Sequence, residues 1–346
     1  MQRNDTVTNL IPLPLESEVV PPLEEIAVAG SDIGRPEERI LVAINLFDQL
    51  TAEQLSRHLS YSFRYTQNIC KALADKKYLQ RLTLPKRTQG GGVPYVYTLA
   101  RKGRQYLTSQ DADLGAKVKS RYRPSEVRAR LHTLATNEIL LQVMQAADSD
   151  PNLSLERFIP EIEFLNEPIK VTIPQRSISD TVSLIPDLWI QLRQQVGSKA
   201  YTYCFCIEVN LTSLEQKRWR RKVSMYLNCS EGYKKRVGID VLQILTIINS
   251  QTTVLRRGAG AYKDGDLQDR KRGIQAAEKT MLDYINWTEK ELREQEKREE
   301  ADLFLFTSMP LDVLTPVDIL FSAHNTSPYA PEPVPLIFKG EEEQIG

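Results

Sequence analysis

SLIPDLWIQLRQQVGSKAYTYCFCIEVNLTSLEQKRW runs from Ser183 to Trp219. Two apolar runs rich in β-branched and aromatic residues flank the turn Val196 to Lys199, the pattern of a β-hairpin. Each run carries one acid where core would be expected, Asp187 in the first and Glu208 in the second. Gln195 placed opposite Ala200 sets the register, and that register puts Asp187 directly across from Glu208. Side chains alternate along a strand, so Asn210 shares the face of Glu208. A slip of one residue would undo the match.

Two carboxylates at that distance repel. In a partly buried place one takes up a proton, or both hold a cation. Asp187 and Glu208 are therefore the expected metal ligands. The metal class is magnesium or manganese (Mg2+ or Mn2+), which favours few carboxylates, retained water and a substrate phosphate. The helix after the hairpin supplies a cation. Lys222 stands three residues after Trp219 and four before Tyr226, on the inward face. Thr212 to Glu215 has the form of a capping box for that helix. An upstream helix, EVRARLHTLATNEILLQVMQAA, shows a similar intrusion, with Glu138 four residues after Leu134 and three before Leu141. The simpler alternative is an ion pair of Glu208 with Lys222, with Lys222 snorkelling to water.

Upstream of this region lies a separate pattern. PEERILVAINLFDQL has helical spacing at Ile40, Ile44 and Phe47. Thr51 and Gln54 form a capping box for a second helix, AEQLSRHLS. RYTQNICKALADKKYL reads as a third helix. LQRLTL and VPYVYTL then read as strands around the tip PKRTQGGG, and ARKGRQYL as a closing helix. Three helices and a hairpin in that order predict a winged helix-turn-helix over residues 35–110. From Arg57 to Arg104 eleven Lys or Arg face one acid, Asp75, the one-sided balance that phosphate contact needs. The third helix would present Arg64, Tyr65, Gln67, Asn68 and Lys71 to a major groove, and Lys86 and Arg87 at the wing tip would meet the backbone. A winged helix used for protein contacts is the alternative.

The chain has 346 residues, 41% apolar, with a formal net charge of zero. Any nucleic-acid binding must therefore come from local patches. Pro-rich stretches predict disordered tails at 1–34 and 325–346, and a polar linker at 111–125 precedes an α/β domain over 126–324. That domain is expected to run helix, strand, strand, helix, strand, long helix, strand. The long helix, Leu267–Glu300, interleaves acids and bases, with Ile274, Met281, Leu282 and Ile285 expected toward the sheet. No apolar run spans a membrane and no secretory leader opens the chain, so the expected location is cytoplasmic. The four cysteines read as small core residues. RRGAGAYKDGD lacks the G-K-[ST] ending of a P-loop, so no nucleotide cofactor is expected. Three histidines are too scattered for a tyrosine relaxase's metal site.

RLHTLATNEILLQV, IPDLWIQL and CFCIEVNLTSLEQKRWRRKVSMYLNC together resemble the replication-relaxation family of plasmids and other mobile elements. His132, Leu134, Asn137, Pro186, Asp187, Glu208, Val209, Lys222 and Tyr226 match its short motifs, and Asn210 stands where that family usually has an acid. The second domain also resembles the PD-(D/E)XK nuclease superfamily, in which a helix Glu, a strand Asp and an E-x-K strand hold the metal. That resemblance implies an α+β chain in which a winged helix is followed by a PD-(D/E)XK-nuclease-like domain, with Glu138, Asp187, Glu208 and Lys222 as catalytic residues. Asn210 replaces the superfamily's lysine. The implied function is DNA binding in replication, relaxation or mobilisation of a mobile element. The implied partners are double-stranded DNA and replication or mobilisation proteins. A metal-dependent endonuclease and a transcriptional regulator with an inert nuclease-like domain are the alternatives.

Overall fold

The computed structural model describes residues 33–83, 95–110, 127–174, 179–211, 215–240, 242–248, 264–307 and 324–325. The tails and linker expected at 1–34, 325–346 and 111–125 lie outside them, apart from Ile33, Gly34 and Asn325. The wing-tip residues Lys86 and Arg87 and the first part of the expected capping box, Thr212 to Leu214, lie outside them too. Among the described residues no helix is long and apolar enough to cross a membrane.

The N-terminal part is built from α1 (Arg35–Phe47), β1 (Gln49–Thr51), α2 (Ala52–His58), α3 (Phe63–Asp75), β2 (Leu79–Thr83), β3 (Tyr95–Leu99) and α4 (Arg101–Gln110). Helix α2 starts where the sequence puts its cap. The Thr51 hydroxyl accepts from the Gln54 amide at 3.2 Å, and the Gln54 side chain accepts from the Thr51 amide at 3.1 Å, which satisfies two of the orphan donors of a helix start. The hairpin strands β2 and β3 pair antiparallel, and β1 adds to the other edge of β3. That short third strand is not evident in the sequence. Gly103 lets α4 approach β2, because a Cβ there would stand 2.3 Å from the Tyr78 carbonyl oxygen.

The rest comprises α5 (Val127–Ser149), β4 (Leu153–Pro160), α6 (Glu161–Asn166), β5 (Ile169–Pro174), β6 (Ser179–Leu184), β7 (Leu188–Val196), β8 (Lys199–Asn210), α7 (Gln216–Leu227), α8 (Ser230–Val237), β9 (Gln243–Ile248), α9 (Asp264–Glu294), a 3-10 turn at Arg298–Leu303, β10 (Phe304–Thr307) and β11 (His324–Asn325). The sheet order is β11-β10-β9-β8-β7-β4, with β8, β9 and β10 parallel and the others antiparallel; β5 and β6 form a separate hairpin. The chain is thus mixed α and β. The β7–β8 register is the one read from the sequence, with Gln195 opposite Ala200 and Leu188 opposite Ile207. Gly197 takes the positive φ of 58° that the tight turn requires.

Two apolar layers cover the sheet. Phe205, Ile207 and Val209 of β8 share one layer with α5 and the N-terminal part. Cys204 and Cys206 alternate with them and face α7, α8 and α9, and all four cysteines are buried and free. Helix α5 is buried almost all round from Leu134 to Val143, as a helix held between two bodies must be. Its apolar residues therefore join one continuous core with those of α1, α2 and the small sheet.

The long helix buries Ala277, Met281, Tyr284, Thr288 and Leu292. Leu282 departs from expectation: it lies one residue beyond Met281, about 100° around the helix, and is 57% exposed. The Trp219 indole donates to the Thr288 hydroxyl at 2.9 Å and Arg220 pairs with Glu291 at 2.7 Å, so α7 is fastened to α9.

Candidate functional site

The hairpin register brings the two acids to the same end of β7 and β8. Asp187 precedes β7, and its Oδ2 accepts the Val209 amide of β8 at 2.7 Å. From α5, His132 Nε2 lies 3.2 Å from the same oxygen and 3.0 Å from the Val209 carbonyl oxygen. Glu161, the first residue of α6, completes a trio in which one ligand atom from each of His132, Glu161 and Asp187 lies within 4.8 Å of the others. Glu208 is 1% exposed and sits in the apolar layer beneath α7. Lys222 donates to its Oε2 and the Tyr226 hydroxyl to its Oε1.

The electrostatics follow from this division. Burial opposes ionisation of Asp187, but His132, Lys222 and the Val209 amide outweigh it and hold the carboxyl at about 2. Burial likewise disfavours a charged His132, yet Asp187 pulls the imidazole up to about 9, so it stands as an imidazolium that donates to both oxygens. Burial pushes Glu208 up to about 7, against the pull of Lys222 and with a push from the charge on Asp187. Burial and Asp187 also raise Glu161.

A magnesium ion shared by Asp187 and Glu208 fits this arrangement poorly. Each Glu208 oxygen already accepts a hydrogen bond from the protein, and the Asp187 Oδ2 is bonded to an amide and an imidazolium. A hard cation needs carboxylate oxygens free to coordinate. In place of a metal ion shared by two carboxylates, protein cations neutralise them: His132 bonds Asp187, and Lys222 bonds Glu208 while its charge also acts on Asp187.

Glu138 does not join the group. It turns to α2, where Arg57 Nη1 donates to it at 2.7 Å, Gln54 at 3.2 Å and, from its own helix, Gln142 at 3.1 Å. The reason lies in α5, which has two buried faces: Glu138 stands on the one toward the N-terminal part. Lys217 is exposed and also outside the group. Asn210 is buried at the end of β8.

A second feature lies on α3. Thr66, Ile69, Cys70 and Leu73 are buried, while Arg64, Tyr65, Gln67, Asn68 and Lys71 are all exposed. The Ser62 hydroxyl caps the helix by accepting the Tyr65 amide at 3.3 Å. Phe63, which the sequence reading does not single out, is also 49% exposed.

These motifs now have both order and geometry, and a comparison with known families agrees with them: residues 41–242 match the family described as replication-relaxation. The chain belongs to the replication-relaxation family. In this family member the H-x-L-x-x-N helix serves two neighbours, since His132 reaches Asp187 while the Asn137 amide donates to the Phe47 and Gln49 carbonyls at 2.9 and 2.7 Å. No curated protein is similar to the chain at a significant level. One solved structure, titled "Structure of Disulfide formed AbfR", is 17% identical over 34% of this chain and 75% of its own, with a TM-score of 0.21, a likeness too slight to bear on fold or function. Within the replication-relaxation motifs, the sequence signal for His132 was present. Glu161 carried only the weaker sign of an acid directly after Pro160 at a helix start.

Proposed function

We propose that this protein binds double-stranded DNA in the replication, relaxation or mobilisation of a mobile element. In this reading the N-terminal part is a winged helix that lays α3 in the major groove, and the second part is a PD-(D/E)XK-nuclease-like domain that holds DNA without cutting it. The observation that carries the reading is the face of α3, where five long polar or basic side chains are exposed together and no acid interrupts them before Asp75. A helix that buries one stripe and offers Arg64, Gln67, Asn68 and Lys71 on the other has the donors that read base edges and neutralise phosphates. The inert domain is supported by the cluster itself, where Lys222 and Tyr226 bond both Glu208 oxygens and His132 bonds Asp187 Oδ2.

Anisotropy titrations of the full chain on duplex pools enriched by repeated selection test this. Arg64→Ala or Lys71→Ala should each weaken binding roughly 5- to 150-fold, a base contact being worth about 1–3 kcal/mol. Absence of DNA binding at low salt would refute the winged-helix reading. Supercoiled plasmid should stay intact with magnesium or manganese, and nicking lost in Asp187→Ala would establish the endonuclease instead.

A further inference from the structure

Helix α7 carries a dense set of cations. Gln216–Leu227 contains Lys217, Arg218, Arg220, Arg221 and Lys222 and no acid. Their tasks divide by helix face. Lys222 turns inward to Glu208, and Arg220 is engaged by Glu291 and Glu294 of α9. Lys217, Arg218 and Arg221 are exposed. At 100° per residue these three fall within about 100° of arc, opposite the stripe of Trp219, Val223 and Tyr226 that packs on the sheet. In a chain of zero net charge, three exposed cations with no acid among them on one helix face are a local excess of the kind that marks a polyanion contact. Glu215, exposed at the N-cap, is the acid next to them on the same element.

The position of the stripe gives it meaning. Its helix is fixed from below by Lys222 and Tyr226 on Glu208 and from the side by the Trp219 and Arg220 contacts to α9. The stripe is thus held rigidly beside the strand end where Asp187 and Glu208 meet. We propose that Lys217, Arg218 and Arg221 form a second DNA contact that grips the phosphate backbone of duplex DNA independently of α3. The inference rests on the DNA-binding reading above and extends it to the second part of the chain. Such a contact carries no sequence information. It adds affinity and salt dependence and sets the orientation of the duplex.

The test compares the full chain with its triple variant Lys217→Gln, Arg218→Gln, Arg221→Gln, and with a charge-keeping variant Lys217→Arg, Arg218→Lys, Arg221→Lys. Anisotropy of a fluorescent duplex is followed across a potassium chloride series, with circular dichroism melts to establish folding. Each phosphate contact contributes about 0.9 to the slope of log affinity against log salt. The triple Gln variant should lose about two to three from that slope, and the charge-keeping variant should keep it. Hydroxyl-radical footprints should shorten at one flank in the Gln variant while the part protected by α3 remains. A folded Gln variant with unchanged slope and footprint overturns the second contact and leaves the α3 reading standing. Failure of the wild-type chain to bind any duplex overturns both.

Discussion

At the scale of single residues, two carboxylates stand at the ends of strands that otherwise read as core. Both are neutralised by cations of the protein itself. A buried acid with a dedicated cation and a further donor is tolerable, whereas removal of one partner strands a charge in a low-dielectric setting. Glu208 has Lys222 and Tyr226, and Asp187 has His132 and the Val209 amide. The His132–Asp187 pair also has a pH signature. Asp187 is held at about 2, below its unfolded value of 3.8, so its contribution is present above that value and is lost as pH falls toward 2. His132 is raised from 6.5 to about 9, so its contribution is full below 6.5 and is lost as pH rises through 9. The pair should therefore stabilise most between about pH 4 and 6.5. Urea unfolding of wild type and His132→Gln should differ by on the order of 2 kcal/mol in that window. The difference should shrink toward zero by about pH 9; a difference that stays flat through the alkaline range would mean that His132 is neutral in the folded chain.

At the scale of elements, the helix α5 decides how the two parts of the chain meet. Asn137 satisfies two backbone carbonyls at the end of α1 and the start of β1, Gln49 and Gln54 donate to the carbonyls of Arg130 and Leu134, and Arg57 pairs with Glu138. Asn137→Ala leaves two buried acceptors without their donor and should cost about 1–3 kcal/mol in a denaturant melt. An effect below half a kcal/mol would show that water replaces the amide. Much of this level was legible in advance. The Thr51–Gln54 box placed α2, the V-G-S-K turn set the register of β7 and β8, and the alternation of α3 gave its exposed face. What escaped had physical reasons. The three-residue strand β1 and the strand β6, whose residues Ser179–Leu184 are largely polar, carry too little apolar pattern to signal themselves. The sequence alone cannot orient Glu138, because a helix buried on both faces has no single apolar stripe. His132 is legible only as part of the H-x-L-x-x-N motif, and its role is not, because nothing in the sequence sets it beside Asp187.

At the scale of the whole molecule, the shared core has a consequence for how the chain unfolds. Leu50, Leu55, Leu134, Ile139, Phe205 and Val209 belong to one continuous apolar layer that runs from the small N-terminal sheet through α5 to the large sheet. Parts joined by a flexible connector and a polar surface melt separately; parts that share a core lose their packing together. The contact is also reinforced where a mutation can reach it, because Glu138 holds Arg57 and Gln54 across the seam. The wild-type chain should unfold in a single transition, with coincident curves from tryptophan fluorescence, whose Trp189, Trp219 and Trp287 lie in the second part, and from a fluorophore placed on α3 at Asn68→Cys. Glu138→Ala strands Arg57 at the seam and removes its anchor, a loss of about 3–5 kcal/mol for a buried pair and less where water reaches the guanidinium. In that variant the two probes should separate, the α3 fluorophore reporting the earlier transition. Coincident curves in Glu138→Ala, shifted together, would mean that the apolar layer alone couples the parts. Separate curves in the wild type would mean that the core shown by the packing is not cooperative across α5.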